Sequence, residues 1–251
     1  MRREVEELLK NTSGRTSDAG TVTEDDINAL PEPVQRYLRY AQIVGKPRIR
    51  TVRLKQRGYF RQKQNQKWLP LRAEQYFTLD PPGFVWYGSL SPAPLISITG
   101  TDVFCNGKGR MVIKLLSLFK IADATGTEVD QGELLRYLGE MAWFPTACLN
   151  DYIKWYSVDS RSARATITTG SITASGVFHF NDRGEIVDLV AERYGDFGRG
   201  FELAMWSPWM SDYRETNGLR IPMRGEVAWK LKSGDFSYAR LEITDIEYDS
   251  L

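Results

Sequence analysis

The chain has 251 residues, of which 42% are hydrophobic, 12% aromatic and 26% charged, and its formal net charge is +1. These values exclude a largely disordered chain and argue against a protein built mainly to bind nucleic acid, because such domains are usually strongly basic. The two cysteines, Cys105 and Cys148, are too few for a disulfide framework and are typical of buried thiols in a reducing compartment.

The first residues predict a lead-in to the domain. Residues 11–22 are rich in Ser, Thr, Gly and Asp, so we expect residues 1–22 to form a short fraying helix and a flexible segment. They lack the apolar core of a signal peptide, and no later stretch approaches the ~20 apolar residues of a membrane span. We therefore expect a cytoplasmic protein with a single domain over residues 23–251.

A helical segment comes next, and the apolar period then changes to two. Thr23 suits the N-cap of a helix that begins at Glu24, and helical spacing continues to Ala41 with breaks at Pro31 and Pro33. Strand patterns follow at 49–61, 68–79, 84–90, 95–105, 110–121, 152–158, 163–168, 172–180, 186–194, 202–213, 219–231 and 236–248. Their short connections cannot join parallel strands, so we expect an antiparallel meander.

One helical pattern interrupts the strands near the middle of the chain. Residues 130–144 predict a helix, and 146–149 are expected to add one more turn. The apolar stripe of the helix consists of Leu134, Leu135, Leu138, Met141 and Ala142. The fold we expect is mainly β (α+β): a strongly curved antiparallel sheet or half-barrel, wrapped around this central helix, with an N-terminal helical segment. Such an arrangement covers the concave face of the sheet and tends to leave an apolar cavity.

Several segments carry a resemblance to a known family. They read "DQGELLRYLGEMAWFPTACL" from Asp130 to Leu149, "DVFCNGKGRMVIKLLSLFKIADATG", "FHFNDRGEIVDLVAERY" and "YRETNGLRIPMRGEVAWKLKSGDFSYARLEITDIEY". Over residues 30–248 the chain resembles an uncharacterised bacterial and archaeal family catalogued as domain of unknown function 6544, also 6920. The resemblance implies no established activity. The expected fold is also similar to that of lipoprotein and lipid carriers of the bacterial envelope, an analogy that bears on fold more than on function.

The central helix carries charges on the side opposite its Leu stripe. Glu133, Arg136 and Glu140 are spaced three and four residues apart, which is typical of ion pairs on an exposed helix surface. If the helix instead lies inside the curved sheet, Arg136 between two carboxylates becomes an anchor for an anionic head group. Burial would then also suit Glu133 and Glu140 to acid/base chemistry.

The single histidine, His179, alternates with Phe178 and Phe180 on a strand and so faces away from them. With no second histidine, neither a Ser-His-Asp triad nor a His-rich zinc site can form. We expect a structural or surface role for His179, with a place in a pocket as the alternative.

Aromatic residues are frequent in the C-terminal half, where they either fill a wide β interior or line a pocket. The candidates for a ligand pocket are Trp143, Tyr194, Trp206, Tyr213 and Trp229, with Arg136 or Arg193 meeting an acidic end of the ligand. In the run from Trp206 to Trp209, Pro208 is expected to interrupt strand pairing and turn both Trp side chains toward the pocket mouth. The Gly-rich loop 195–200 is expected to gate that cavity.

Residues 33–73 contain many Lys and Arg residues and no acid. The acids of the last strand would balance them if the first and last strands pair, which gives a solvated edge with cross-strand ion pairs. The alternative is a surface that binds an anionic membrane or nucleic acid.

Three functions remain open on the sequence. The leading hypothesis is a carrier that binds an apolar small molecule, lipid-like or isoprenoid-like, inside the curved sheet. The second is a cofactor-independent isomerase, cyclase or hydratase on an apolar substrate, with Glu133, Glu140 and His179 as candidate catalytic residues. The third is a weak contact of residues 33–73 with an anionic membrane; no nucleic acid, cofactor or metal is expected.

Overall fold

The structure is a computed structural model that describes residues 2–10, 20–93, 96–198 and 200–250. Its helices are α1 (Arg2–Lys10), α2 (Glu24–Asn28), α3 (Glu32–Tyr40) and α4 (Thr127–Glu140), followed by the 3-10 helices Met141–Trp143 and Pro145–Leu149. Its strands are β1 (Thr51–Phe60), β2 (Leu69–Leu79), β3 (Pro82–Ala93), β4 (Ile96–Cys105), β5 (Lys108–Leu115), β6 (Phe119–Ala124), β7 (Ile153–Asp159), β8 (Ser162–Thr169), β9 (Ile172–Phe180), β10 (Ile186–Asp196), β11 (Phe201–Thr216), β12 (Leu219–Leu231) and β13 (Gly234–Tyr248).

The strands form one antiparallel sheet that curls into a half-barrel, with α4 as its central helix, as predicted. The sheet consists of two meanders, β6 to β1 and β13 to β7, in that spatial order. They join where the first and last strands pair, with Arg57 opposite Glu242 and Lys55 opposite Asp245. The predicted pairing of the basic first strand with the acidic last strand is therefore confirmed.

The connections between the strands define two ends of the half-barrel. In an antiparallel meander successive connections alternate between the ends. One end, which we call the helical end, is covered by α3: Tyr37 packs on Phe180, and the Tyr40 hydroxyl donates to Glu185. We call the opposite end, which carries the β1–β2, β3–β4, β5–β6, β8–β9, β10–β11 and β12–β13 connections, the open end.

Aromatic side chains fill the interior at the helical end. The ring of Phe144 lies 4.6 Å from that of Phe77 and 5.4 Å from that of Tyr137. All three side chains are fully buried, as is Tyr37. Burial of a side chain of this size contributes roughly 1.5–3 kcal/mol, so this packing is a main source of stability.

Helix α4 begins three residues earlier than predicted and lies inside the concave face. Its first turn is held by Asp130, whose carboxylate accepts hydrogen bonds from the Gly109 backbone N–H at 2.7 Å and from Lys108 at 3.0 Å. Gly109 permits this close approach, because a Cβ there would lie 2.8 Å from the Val129 carbonyl oxygen. The apolar stripe of α4 packs into the continuous core, with Leu134, Leu135 and Leu138 fully buried.

The single strand expected at 110–121 is wrong, because β5 and β6 form a hairpin there. Leu116 and Ser117 adopt the left-handed conformation, with φ of 52° and 59°, and neither is the Gly or Asn that marks such a turn in a sequence. The N-cap at Thr23 is confirmed, since its hydroxyl accepts from the Asp26 N–H in a capping box.

The N-terminal lead-in is only partly described. Residues 2–10 form α1, whose Leu8 is buried and lies next to Gly83 of β3. The flexible segment predicted at 11–19 lies outside the described residues. Across the part of the chain that is described, each helix is too short or too polar to cross a membrane.

Candidate functional site

Five charged side chains meet inside the half-barrel between α4 and the sheet. We call them the charge cluster: Asp102 of β4, Glu133, Arg136 and Glu140 of α4, and Arg193 of β10. The three α4 residues are spaced along one face of the helix, and this face is turned toward the sheet. Of the two interpretations that the sequence left open, the helix inside the sheet is therefore the correct one.

Arg136 is the centre of the cluster. Its Nη1 lies 2.6 Å from Asp102 Oδ2, and its Nε donates to Glu140 Oε1 at 2.9 Å. The guanidinium lies 5.0 Å from the ring centres of Phe84 and Trp86, a distance typical of cation–π contacts. Its side chain is 16% exposed, so the surrounding carboxylates and rings replace most of its hydration.

Arg193 approaches α4 from the other meander. Its Nε donates to the Gly132 carbonyl oxygen at 3.1 Å, and its Nη2 lies 3.8 Å from Glu133 Oε1. The guanidinium also lies 5.1 Å from the ring centre of Trp206 and 5.9 Å from that of Trp229. Two arginines, Arg136 of α4 and Arg193 of β10, thus link the central helix to the two meanders. Each guanidinium lies close to aromatic rings of the sheet.

Glu133 is the least well paired member. Its Oε2 is buried and accepts no hydrogen bond from the described residues, and the nearest guanidinium nitrogen, Arg136 Nη1, is 4.0 Å away. Burial raises the pKa of Glu133 to about 7, and the negative charge of Asp102 adds to the rise. Burial also raises the pKa of Asp102 and of Glu140, against the opposing effect of Arg136. The carboxyl group of Glu133 therefore has a pKa near neutral pH.

Three rows of inward-facing residues run across β2 to β5 from the charge cluster toward the open end. The first row contains Gln75, Trp86 and Asp102, and the second contains Ala73, Gly88 and Gly100. The third, which we call the apolar row, consists of Leu71, Leu90, Ile98 and Leu115. The glycines of the second row make room for the indole of Trp86, since a Cβ on Gly88 would lie 2.1 Å from it.

The apolar row faces inward without joining the core. Leu90, Ile98 and Leu115 are only partly buried, and no member of the row belongs to the core cluster of the described residues. These three side chains point toward the concave face and are partly exposed to solvent. The site therefore combines partly exposed apolar side chains with a buried polar floor, a combination also found in small-molecule sites.

The structure brings together six of the residues predicted from the sequence: Glu133, Arg136, Glu140, Arg193, Trp206 and Trp229. It places the other four elsewhere. Trp143 and Tyr213 lie at the helical end, where Trp143 Nε1 donates to the Pro222 carbonyl and the Tyr213 hydroxyl donates to the Ile186 carbonyl. Tyr194 and His179 lie on the outer face, and His179 pairs there with Asp188.

The expectation for the run from Trp206 to Trp209 is correct for the interrupted pairing on one side of the strand and for Trp206, and it is wrong for Trp209. Strand β11 continues through Pro208, which lies opposite Val227 of β12. Pairing with β10 is interrupted only between Trp206 and Trp209, on the side where proline has no N–H to donate. As a result Trp206 faces inward, whereas Trp209 faces outward and contacts Lys230.

The loop after β10 does reach the site. Phe197 packs edge-on against Trp229, with the ring centres 5.2 Å apart, and it is 38% exposed. Gly195 permits this contact, because a Cβ there would lie 2.9 Å from both rings. The predicted gating by this loop stays a prediction.

Three site residues escaped the sequence reasoning, namely Asp102, Gln75 and Trp86. Gln75 donates to Glu140 Oε2 at 2.7 Å, and Trp86 Nε1 donates to Gln56 at 3.1 Å. A signal was present, because Gln75 and Asp102 are polar residues at inward positions of alternating strands. No group of His, Cys, Asp and Glu side chains among the described residues has the geometry to hold a metal ion.

Six of the twelve basic residues of 33–73 form ion pairs. Arg53 pairs with Glu74 and Glu247, and Lys55 and Arg57 pair with acids of β13. Arg36, Arg39 and Arg48 pair with Glu32, Glu24 and Asp26 near the helical end. The charge of this stretch is therefore balanced in part by acidic residues of the protein itself.

Comparisons with known proteins give a family and two similar structures. The model of a family of unknown function (DUF6544) matches residues 20–241, and no curated protein matches the chain. A putative outer membrane lipoprotein-sorting protein domain from Vibrio parahaemolyticus is 8% identical, with a TM-score of 0.45 and coverage of 80% of this chain and 86% of that one. A LolA superfamily protein from Nitrosomonas europaea is 14% identical, with a TM-score of 0.41 and coverage of 92% and 95%.

Proposed function

The chain belongs to this family of unknown function, and we propose that it is a carrier that binds an apolar small molecule, lipid-like or isoprenoid-like, in the open half of the barrel. The ligand's hydrocarbon part would contact the apolar row, and its polar end would reach the charge cluster. The observation that carries this proposal is the position of the cluster. It lies between a helical end that is filled by aromatic side chains and an open end whose inward-facing apolar side chains contact solvent.

Stability alone gives a poor account of this arrangement. Buried ion pairs often stabilise a fold no more than apolar residues of the same volume would. The cluster also leaves oxygen atoms of Glu133 and Gln75 without hydrogen bonds from the described residues. Polar groups of this kind at the floor of an apolar site supply orientation and specificity for a ligand.

A variant that places a large side chain in the apolar row tests the carrier function. Ile98→Trp places a large ring in the apolar row, whereas Thr101→Trp places the same ring on the outer face of the same strand. With dodecanol as the probe, we expect native mass spectrometry and calorimetry to show one bound molecule in the wild type and in Thr101→Trp. We expect at least roughly tenfold weaker binding in Ile98→Trp. Failure of the wild type to bind, or equal binding by both variants, would overturn the proposal.

We further propose that the open end contacts an anionic membrane surface, in place of the longer 33–73 stretch. The β5–β6 tip exposes Leu118, Phe119 and Ile121, which are 78%, 64% and 60% exposed. Residues 61–68 and 114–121, at two tips of this end, contain five Lys or Arg residues and no acid. Exposed apolar groups flanked by basic residues suit a bilayer with anionic lipids.

Vesicle co-sedimentation tests this contact. We expect binding to phosphatidylcholine vesicles that contain phosphatidylglycerol, weaker binding to pure phosphatidylcholine, and a loss of binding in Leu118→Asp. Tyr156→Asp, at an exposed apolar residue of the edge strand β7, is the matched control and should bind as the wild type does. Retention of binding by Leu118→Asp, or no binding by the wild type, would contradict the proposal. The cytoplasmic location expected from the sequence stays a prediction.

A second candidate function is cofactor-independent acid/base catalysis on an apolar substrate. Glu133 favours it, because it combines a pKa raised to about 7 with a buried oxygen that no described residue binds. Glu140 is already bound by Arg136 and Gln75, and His179 lies on the outer face, so Glu133 is the candidate base. The test is whether a bound molecule is recovered after long incubation. Recovery of the molecule chemically unchanged is the result expected of a carrier. Chemical conversion that Glu133→Gln abolishes would support the enzyme over the carrier.

A further inference from the structure

We infer that the polar end of the bound molecule is a hydrogen-bond donor, best a primary amine, that binds the free carboxylate oxygen of Glu133. This inference rests on the proposed carrier function, and it names the class of ligand. The sequence analysis expected instead that an acidic end of the ligand would bind Arg136 or Arg193. The groups of the charge cluster that already have partners decide which ligand end can bind there.

The first step concerns charge. The cluster contains three carboxyl groups and two guanidinium groups, so it has a net charge of −1 when all are ionised. A ligand with a positive end would neutralise the cluster, whereas a ligand with an acidic end would make its net charge more negative, at −2. In a buried site with few compensating dipoles, the second arrangement is strongly disfavoured.

The second step concerns hydrogen bonds. Arg136 is bound by Asp102 and Glu140, and Arg193 by the Gly132 carbonyl, so an acidic ligand would have to displace existing partners. Among the described residues, the buried polar atoms without a partner near this floor are two acceptors, Glu133 Oε2 and Gln75 Oε1, and one donor, Gln56 Nε2, which lies beside Trp86 and not in the charge cluster. Acceptors require a donor from the ligand, and an ammonium group has three.

The third step concerns the proton on Glu133. The charged and titratable groups that face it are Arg136 and Glu140 from its own helix, Asp102 from β4 and Arg193 from β10. An ammonium ion binds the ionised form of Glu133, so its affinity should rise as the pH rises through 7. A carboxylate ligand would require the protonated form, so its affinity should fall over the same interval.

The experiment compares three probes with the same chain and different ends, namely dodecylamine, dodecanol and dodecanoate, by calorimetry at pH 6 and pH 8.5. The amine keeps its charge at both pH values, because its ordinary pKa is near ~10. We expect the amine to bind roughly tenfold more tightly than dodecanoate at pH 8.5, and its preference to shrink at pH 6. At pH 6, calorimetry in two buffers should show proton release when the amine binds.

Two variants locate the effect. Glu133→Gln keeps the shape of the side chain and removes its charge, so we expect about tenfold weaker binding of dodecylamine and dodecanol binding within about threefold of the wild type. Glu128→Gln, also on α4 but outside the cluster, should behave as the wild type does. The wild-type probe ratios provide a test that does not depend on either variant folding.

The outcomes separate this inference from the carrier function. If none of the three probes binds, the carrier function fails. If the probes bind but dodecanoate binds as tightly as dodecylamine at pH 8.5, the carrier function survives and the donor inference is wrong. The inference also fails if amine affinity falls from pH 6 to pH 8.5, or if Glu133→Gln leaves it unchanged.

Discussion

At the helical end, aromatic side chains fill the interior of the half-barrel, whereas toward the open end the same strands carry charges, glycines and partly exposed apolar side chains. Phe77 and Gln75, two residues apart on β2, belong to these two regions. Phe77 packs against Phe144, and Gln75 donates a hydrogen bond to Glu140 of the charge cluster. The difference suggests that the helical end supplies stability and that the open end gives up stability for binding.

The largest expected effect is at the helical end. Phe144→Ala removes a fully buried ring that contacts two other aromatic rings, and the packed surroundings can close the cavity only partly. We expect the free energy of unfolding to fall by about 3–5 kcal/mol. Urea denaturation followed by circular dichroism measures it. A loss below about 1 kcal/mol would show that this end is not the main source of stability.

The next effect is at the charge cluster and depends on pH. Burial raises the pKa of Glu133 from its ordinary value of 4.5 to about 7, so between these pH values the folded state binds more protons than the unfolded state. The stability of the wild type should therefore fall as the pH rises through this interval. Glu133→Gln lacks this loss, and at pH 8 we expect it to be more stable than the wild type by about 1–3 kcal/mol.

Urea denaturation at pH 5 and pH 8 tests this prediction. Glu128→Gln serves as the control, because Glu128 lies on the same helix outside the cluster. The prediction is contradicted if the wild type and Glu133→Gln lose the same stability between the two pH values.

A smaller effect is expected where glycine makes room for Trp86. In Gly88→Ala the new methyl group collides with the indole, which must move away from its place over the strand. We expect a loss of about 1–2 kcal/mol and a shift in tryptophan emission as the ring changes its environment. Unchanged emission would mean that the indole does not rest on Gly88.

The smallest effect on stability is expected at the open end. Phe197→Ala removes a ring that is 38% exposed and contacts Trp229 from one side, so the loss should be below about 1 kcal/mol. We expect faster release of dodecanol in stopped-flow measurements, because this ring covers part of the site. A large loss of stability would place Phe197 in the core and remove the contrast between the ends.

Much of the fold could be predicted because its signals are local. The alternation of apolar residues predicts twelve strand regions, and eleven of them correspond to single strands. The exception, at 110–121, contains a turn made by Leu116 and Ser117, residues that rarely adopt the left-handed conformation. Opposite charges on β1 and β13 also predicted a long-range pairing, because ion pairs across neighbouring strands need matched partners.

The candidate site could be predicted only in part. Glu133, Arg136 and Glu140 stand out through their helical spacing, but that spacing also suits an exposed surface. Asp102 was missed, since nothing near it in the sequence shows that its strand passes beneath α4. Tyr194 and Tyr213 were named for their aromatic character, which does not reveal the face or the end of the strand on which a ring lies.

The sequence by itself determined the antiparallel strands, the central helix and the charged face of that helix, because periodicity and turn chemistry act over a few residues. Only the tertiary structure decided that this face is buried, that Asp102 and Arg193 join it, and that one carboxylate oxygen of Glu133 accepts no hydrogen bond from the part of the chain that the structure describes. The curvature of the sheet is the physical reason. This curvature brings strands that are distant in the chain around one helix. The number of charges enclosed there therefore depends on all of these strands together.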